Sequence, residues 1–345
     1  MFYSVLGICA GNGTVLFPFK DQLIGNFELR SVFKFPKNEQ WELNFKGIPL
    51  WNKKGAGFDM LDTIKKPDII IGHPDCGHSS VLSYSRAKKL GVPADNVSLQ
   101  AFFTGVQWIK PKVFLMENLP ALLKTYGKEN LEETFSDYHL KFFIGPVTKW
   151  GNSQKSRKRL VIIGVNKAYP EAFLDNFKLS KHKIHKLKYY NMLVKQLDCL
   201  NDAQKEAVAH VRLSNNTKIA IFGGKKMTLK EIKDVWNSLP PTQKRFPANK
   251  ERMKYAPGVY RNLNNDYPLT VRKGNREFTP KGNVLTPRQR ARIQGVPDSF
   301  NIFVNMDKLG YSITKGNITV TKCFPYEISL WFKKCLDKSF HQLNS

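Results

Sequence analysis

Two short apolar runs, each opened by a proline, constrain the fold of this chain more than any other feature: Pro67-Asp68-Ile69-Ile70-Ile71-Gly72 and Pro111-Lys112-Val113-Phe114-Leu115-Met116. Runs so short and uniformly apolar fit strands buried on both faces of a sheet. Between them, Val97–Ile109 carries Leu99, Phe102, Phe103, Val106 and Ile109 at helical spacing. A strand, a helix and a strand in that order imply a crossover, and crossovers make a sheet parallel. Tyr3–Cys9 reads as a first strand, ending in Ala10-Gly11-Asn12-Gly13. The stretch Thr14–Ile24 is long enough for a helix, and Leu140–Ile144 and Leu160–Val165 read as two further strands. The expected fold is α/β, with a doubly wound, mainly parallel sheet.

The pattern breaks near Lys167. From there to Gly282 the chain is Lys-rich, irregular and dotted with Asn, Pro and Gly, as in the turn-rich basic stretch Pro240-Pro241-Thr242-Gln243-Lys244-Arg245. Helical spacing resumes near Leu285, and Pro325–Cys335 reads as a final amphipathic helix. Three segments are therefore expected: residues 1–166 as the main α/β domain, 167–282 as a smaller irregular module, and 283–345 as a segment whose helix returns to the main domain. At 345 residues with 41% apolar side chains, wholesale disorder is excluded. The net charge of +27 points to a polyanionic partner, nucleic acid first. Cys9, Cys76, Cys199, Cys323 and Cys335 are odd in number and include no closely spaced pair. That disfavours a disulfide framework or a zinc site, and no metal is expected. No apolar run approaches the length of a membrane span and no cleavable leader is evident, so a soluble, cytoplasmic, monomeric protein without membrane contact is expected.

Four places can carry chemistry. Gly11 and Gly13, after the first strand, allow close approach of a nucleotide-like ligand, although many α/β turns of this kind bind nothing. Cys76 lies in Gly72-His73-Pro74-Asp75-Cys76-Gly77-His78-Ser79-Ser80, at the carboxyl end of the Ile69–Ile71 strand. That position suits a nucleophilic thiolate, with a buried structural thiol as the alternative. His73 and His78 lack acidic or cysteine partners at ligand spacing, so a structural role outweighs metal binding. Glu117, after Phe114-Leu115-Met116, should sit at a strand's carboxyl end beside the cysteine loop, where a carboxylic acid suits protonation of a heterocyclic nitrogen; for Glu117 and Asn118 the alternative is helix capping. Arg157 and Arg159, in Gln154-Lys155-Ser156-Arg157-Lys158-Arg159, share one face by strand alternation. They meet an anion or carboxylates if buried, or form a solvated basic edge.

Taken in order, these residues resemble the DNA (cytosine-5)-methyltransferase family, in a diverged, phage-like form. The resemblance spans roughly residues 3–165 and 268–335. Ala10-Gly11-Asn12-Gly13 resembles the family's cofactor loop, Pro74-Asp75-Cys76 its Pro-Cys nucleophile, and Glu117-Asn118 its Glu-Asn pair. Gln154, Arg157 and Arg159 resemble its Gln-x-Arg-x-Arg motif, and Leu285–Phe300 its arginine-rich helix beside the recognition region. Gly316-Asn317 resembles its last motif. There are departures. Asp75 stands where the family has proline, Gly77 replaces glutamine, Gln289 replaces glutamate, and Gln154 and Arg157 are one residue further apart than usual. The acid that normally follows the second strand is missing near Val32-Phe33-Lys34, so either Glu28 or Glu39 fills its place through a shifted register or cofactor binding is altered.

The resemblance implies a Rossmann-like, S-adenosyl-L-methionine-dependent methyltransferase sheet with residues 167–282 as its target-recognition domain. It implies methyl transfer to C5 of cytosine in double-stranded DNA through a covalent bond between Cys76 and C6 of a flipped base, as in restriction-modification. Glu117 would act on N3, with Asn118, Arg157 and Arg159 completing the catalytic set. Cys9, Ala10, Gly11, Asn12, Gly13, Asp59, Pro74 and Asn317 would hold the cofactor, and Gln154, Arg288 and Arg292 would face DNA. Two other readings stand beside this one: a related transferase with a modified cofactor or an RNA target, and a catalytically weak DNA-binding relative, the latter because Asp75 beside Cys76 disfavours the thiolate.

Overall fold

A computed structural model describes residues 3–28, 37–51, 65–75, 97–185, 267–268, 270–271, 287–301, 320–321 and 323–344. The chain divides into two compact units, one of Met1–Asn152, Arg157–Lys183 and Lys322–Ser345, the other of Ser153–Ser156 and Ile184–Thr321.

The first unit is built on a sheet of seven strands among the described residues, in the order β3-β2-β1-β4-β5-β7-β6. The strands are β1 (Val5–Ile8), β2 (Leu23–Phe27), β3 (Leu50–Trp51), β4 (Ile69–Gly72), β5 (Val113–Asn118), β6 (Tyr138–Pro146) and β7 (Lys158–Asn166). β3, β2, β1, β4 and β5 run parallel, whereas β7 pairs antiparallel with both β5 and β6. This is a Rossmann-like α/β sheet, and its strand order turns back at β1. Ligands of such sheets lie outside the carboxyl ends of the strands at that switch point.

Burial explains the central strands. Ile69, Ile70 and Ile71 of β4 are fully buried, as are all six residues of β5, because a parallel sheet covered on both faces needs apolar side chains in succession. Helices α1 (Lys37–Asn44), α2 (Val97–Ile109), α3 (Leu122–Thr125), α4 (Lys128–Thr134), α5 (Pro287–Ile293) and α6 (Tyr326–Asn344) follow in chain order. Helix α2 lays Leu99, Phe102, Phe103, Val106 and Ile109 on the sheet and leaves Trp108 exposed. Each such aliphatic or aromatic side chain contributes about 1.5–3 kcal/mol on burial. Phe102 sits so tightly over Gly72 that a Cβ there would come within 2.2 Å of its ring. The same helix thus fixes the end of the strand that leads into the cysteine loop.

The segment after β1 is not the expected helix. Residues 14–16 form turns, Phe17–Phe19 is a single 3-10 turn, and β2 begins at Leu23. Pro18 in mid-segment lacks the amide that a helix interior needs. The second strand therefore arrives early, and the residue that follows it is Glu28 rather than one near Lys34.

The C-terminal helix, α6 (Tyr326–Asn344), closes the unit. Its Phe332 meets Phe19 and Phe177, and its Trp331 meets Phe143, Trp150 and Phe177. Ser329 Oγ donates to Val15 O at 2.7 Å, and Phe324 N donates to Thr14 Oγ1 at 3.0 Å. The end of the chain thereby buttresses the loop that follows β1.

Candidate active site

Three loops meet at the carboxyl ends of β1, β2 and β4. Cys9 N donates to Phe27 O at 2.7 Å, and His73 N donates to Cys9 O at 3.3 Å. Cys9 and Ala10 are buried, and Cys9 adopts a positive φ of 54°. Gly11 follows with a φ of 65°, and no atom lies within 4 Å of the place a Cβ would occupy, so the loop faces open space there. Gly13 is different: Phe45 and Trp41 crowd its Cβ position, which makes it a packing glycine. Glu28 Oε2 accepts from Gly11 N at 2.9 Å. An acid at the end of β2 thus touches the glycine loop. Asn12 turns inward, its Nδ2 toward Cys323 Sγ at 3.0 Å and its Oδ1 accepting from Thr14 N and Oγ1.

The neighbouring strand ends carry a buried carboxylate. β4 pairs with β5 through Gly72 and Met116, so His73 and Glu117 are next in register. Glu117 is fully buried, with His73 Nε2 3.1 Å from its Oε2 and Arg159 Nε 2.5 Å from its Oε1. Val161 is the β7 partner of Glu117, which puts Arg159 at the diagonal position on the same face. Both contacts are ionic in distance, yet neither carboxylate oxygen has an aligned hydrogen bond among the described residues. A buried carboxylate in this state retains acceptor sites for a further group. Burial, foremost, together with Arg159 and Arg157, pushes His73 below the ordinary imidazole range against the opposing pull of Glu117 and Asp75. His73 is therefore neutral at neutral pH.

Beside this cluster, Asn118 Nδ2 donates to Pro74 O at 3.4 Å and its Oδ1 accepts from Leu119 N at 2.8 Å. Asp75 N donates to Ser98 Oγ at 2.8 Å. The loop leading to Cys76 is thus held from β5 and from α2. Arg157 is buried, and its Nη2 lies 3.5 Å from Cys323 O, while Arg159 also donates from Nη1 to Lys158 O at 2.7 Å. Cys76, Asp59 and Asn317 lie outside the described residues.

The second unit has its own polar cluster. Gln154, expected at DNA, is fully buried. Its Nε2 donates to Ile293 O at 3.2 Å and to Gln294 Oε1 at 2.9 Å, and its Oε1 accepts from Val271 N at 2.9 Å. Helix α5 (Pro287–Ile293) contains Arg288, whose side chain lies outside the described residues, and Arg292, which grips Asp298 through Nε at 2.8 Å and Nη2 at 2.6 Å. Arg292 is 8% exposed and committed to that bidentate pair.

A family model for C-5 cytosine-specific DNA methylases matches residues 31–320. The chain belongs to this family. It is a DNA cytosine-5 methyltransferase. Solved structures agree in fold. A DNA modification methyltransferase encoded within an E. coli prophage superposes with a TM-score of 0.61 at 17% identity, over 99% of this chain and 100% of the other. The methyltransferase EhMeth of Entamoeba histolytica gives 0.57 at 14% identity, over 97% and 98%. The Dnmt2 methyltransferase of S. pombe gives 0.53 at 10% identity, over 97% and 98%. No curated protein sequence matches the chain significantly. Among the described residues no helix of this methylase is long and apolar enough to cross a membrane.

Two residues of the methylase stand out beyond the expected set. Glu28 was one of two alternatives for the missing acid, and it is the one at the glycine loop. For His73 the sequence favours a structural role over metal binding; its contact with Glu117 follows from the two Pro-led runs, which align Ile69 with Val113 and hence His73 with Glu117.

Proposed function

We propose that this methylase transfers the methyl group of S-adenosylmethionine to C5 of cytosine in double-stranded DNA, through a covalent bond between Cys76 and C6 of a base turned out of the duplex. The observation that carries this reading is Glu117: a fully buried carboxylate with hydrogen-bonding capacity unfilled among the described residues, braced by Arg159, next to the loop that leads to Cys76.

The residues at the switch point fit a nucleoside-bearing cofactor. Gly11 leaves open space before the β1 loop, its amide is tied to Glu28, and a carboxylate at the end of the second strand is the group that takes ribose hydroxyls in this class of sheet. S-adenosylmethionine, when bound, supplies an electrophilic methyl group on a sulfonium. In this reading Gly11 and Glu28 hold it, with Asp59 and Asn317 as further candidates.

C5 of cytosine is a weak nucleophile within an aromatic ring. Addition of the Cys76 thiolate to C6 breaks the aromaticity and makes C5 an enamine carbon. Glu117 stabilises this adduct by donating a proton to N3, a contribution on the order of 10²–10⁴ in rate for a positioned acid. Arg159 holds the carboxyl and neutralises it between cycles, and Asn118 orients the Pro74 end of the nucleophile loop. Once C5 carries the methyl group, a base takes the C5 proton and the electrons of that bond expel the Cys76 thiolate. C6 is out of reach in a stacked base, so the cytosine must be extruded at a cost of a few kcal/mol, and phosphate contacts from a chain of net charge +27 help offset it.

The test is transfer of labelled methyl from S-adenosylmethionine to cytosine-containing duplex DNA. Transfer by the wild type, its loss in Cys76→Ala, and a stable protein–DNA adduct on 5-fluorocytosine DNA are expected. Equal transfer by Cys76→Ala overturns the covalent route, and transfer to RNA alone overturns the DNA assignment.

A further inference from the structure

Glu117 has no surface of its own in water, whereas the His73 side chain that reaches its Oε2 at 3.1 Å keeps 15% of its surface exposed. An ionised carboxylate has to be loaded with a proton before it can donate one to N3, and a fully buried carboxyl is loaded only through a neighbour. Arg159, on its other oxygen, cannot serve, because a guanidinium does not give up its proton in a protein. His73 is the remaining titratable group in contact with the carboxylate among the described residues.

We propose that His73 relays protons between solvent and Glu117 during the methylation cycle and so sets the protonation state in which Glu117 meets the base. The inference rests on the reading above, in which Glu117 acts on N3. The charged groups that face His73 are Glu117 from β5, Arg159 and Arg157 from β7 and its approach, and Asp75 from its own loop. The ring also packs edge-on against Phe324, with centroids 5.6 Å apart. This setting keeps the imidazole neutral, with a proton on one nitrogen and a lone pair on the other. In the loading step the imidazole turns to bring Nε2–H into line with Glu117 Oε2, 3.1 Å away, and gives it that proton while Nδ1 takes one from hydronium. One proton leaves solvent, Glu117 becomes the acid, and His73 ends as its other neutral tautomer. When N3 returns its proton to Glu117, the reverse transfers restore both groups.

Single-turnover methyl transfer by the full chain tests this, with wild type, His73→Ala and His73→Gln. Gln keeps a hydrogen-bond donor but cannot pass a proton. Both variants are expected to be slower on the order of 10²-fold, with DNA and cofactor affinities unchanged and the rate falling more steeply with rising pH than in wild type. Imidazole added to solution is expected to accelerate His73→Ala and leave wild type unaffected. Wild-type rates in His73→Gln overturn the relay and leave only positioning, as does a slow His73→Ala that imidazole fails to accelerate. If His73→Ala does not fold, His73→Gln decides alone by the same comparison. An inactive wild type overturns the reading of Glu117 itself, whereas an active wild type beside equally active His73 variants overturns the relay alone.

Discussion

Arg159 and Glu117 face each other diagonally across the antiparallel β5–β7 pair, with Nε 2.5 Å from Oε1 and the carboxylate wholly buried. Removing one member of a buried pair strands the other charge, which typically costs about 3–5 kcal/mol, more than the pair itself contributes. Arg159→Met is therefore expected to lower Tm by roughly 10 °C, allowing about 2–4 °C per kcal/mol for a unit of this size. Adding Glu117→Gln to that variant should recover much of the loss, because no unpaired charge remains. Calorimetry on the two single variants and the double checks the coupling; additive losses would mean that the two groups do not share an interaction.

Glu28 makes a separate prediction about the cofactor side. Its Oε2 accepts from Gly11 N at 2.9 Å, so it both shapes the glycine loop and presents a carboxylate at the end of β2. Glu28→Ala is expected to weaken S-adenosylhomocysteine binding by at least tenfold, the equivalent of about 1.5 kcal/mol for a hydrogen bond to a charged group. Glu28→Gln should lose nearly as much, since an amide cannot serve two hydroxyls as a carboxylate does. Isothermal titration measures both, and unchanged binding in Glu28→Ala would move the ribose contact elsewhere.

The contrast between Ile69–Ile71 and Glu28 shows what a sequence discloses. A central parallel strand has to be apolar on both faces, so β4, β5 and the α2 face between them announce themselves, and the ends of those strands place Glu117 and Asn118 beside the cysteine loop. Glu28 was obscured by local composition. Thr14–Ile24 is long and apolar enough to suggest a helix, which places the end of the second strand near Lys34 rather than at Phe27; Pro18 is the signal against it. The surroundings of Gln154 were hidden for another reason. The resemblance implies that it faces DNA, but its amide bonds to Val271 and Ile293, partners 117 and 139 residues away that no local pattern reveals.

That burial of Gln154 leads to an expected outcome opposite to that of a DNA contact. Gln154→Leu leaves the Val271 amide without its acceptor and removes the bonds to Ile293 and Gln294. A stranded buried donor costs about 1–3 kcal/mol, so Tm should fall. Below the melting range, the slope of DNA affinity against salt should stay at the wild-type value, because no phosphate contact is lost. Filter binding at several salt concentrations checks this, and a shallower slope in Gln154→Leu would restore the residue to the DNA face.

Glu327 supplies a pH dependence. It opens helix α6, and Asn152 Nδ2 lies 3.0 Å from both of its oxygens. Burial pushes its carboxyl up from 4.5 to about 7, against the bonds from Asn152 and the attraction of Arg157. Between these values the folded protein holds a proton that the unfolded chain has released. Stability due to this group is therefore complete below about pH 4.5, falls as pH rises toward 7, and is level above it. His73 slopes the other way, since burial makes its imidazole take up a proton at lower pH in the fold than in the unfolded chain, where it does so near 6.5. His73 is common to wild type and Glu327→Gln, so the difference between their Tm values isolates Glu327. That difference should be near zero at pH 4.5 and should favour Glu327→Gln by several degrees at pH 8. A gap that does not change with pH would mean that Glu327 ionises in the fold as it does in the unfolded chain.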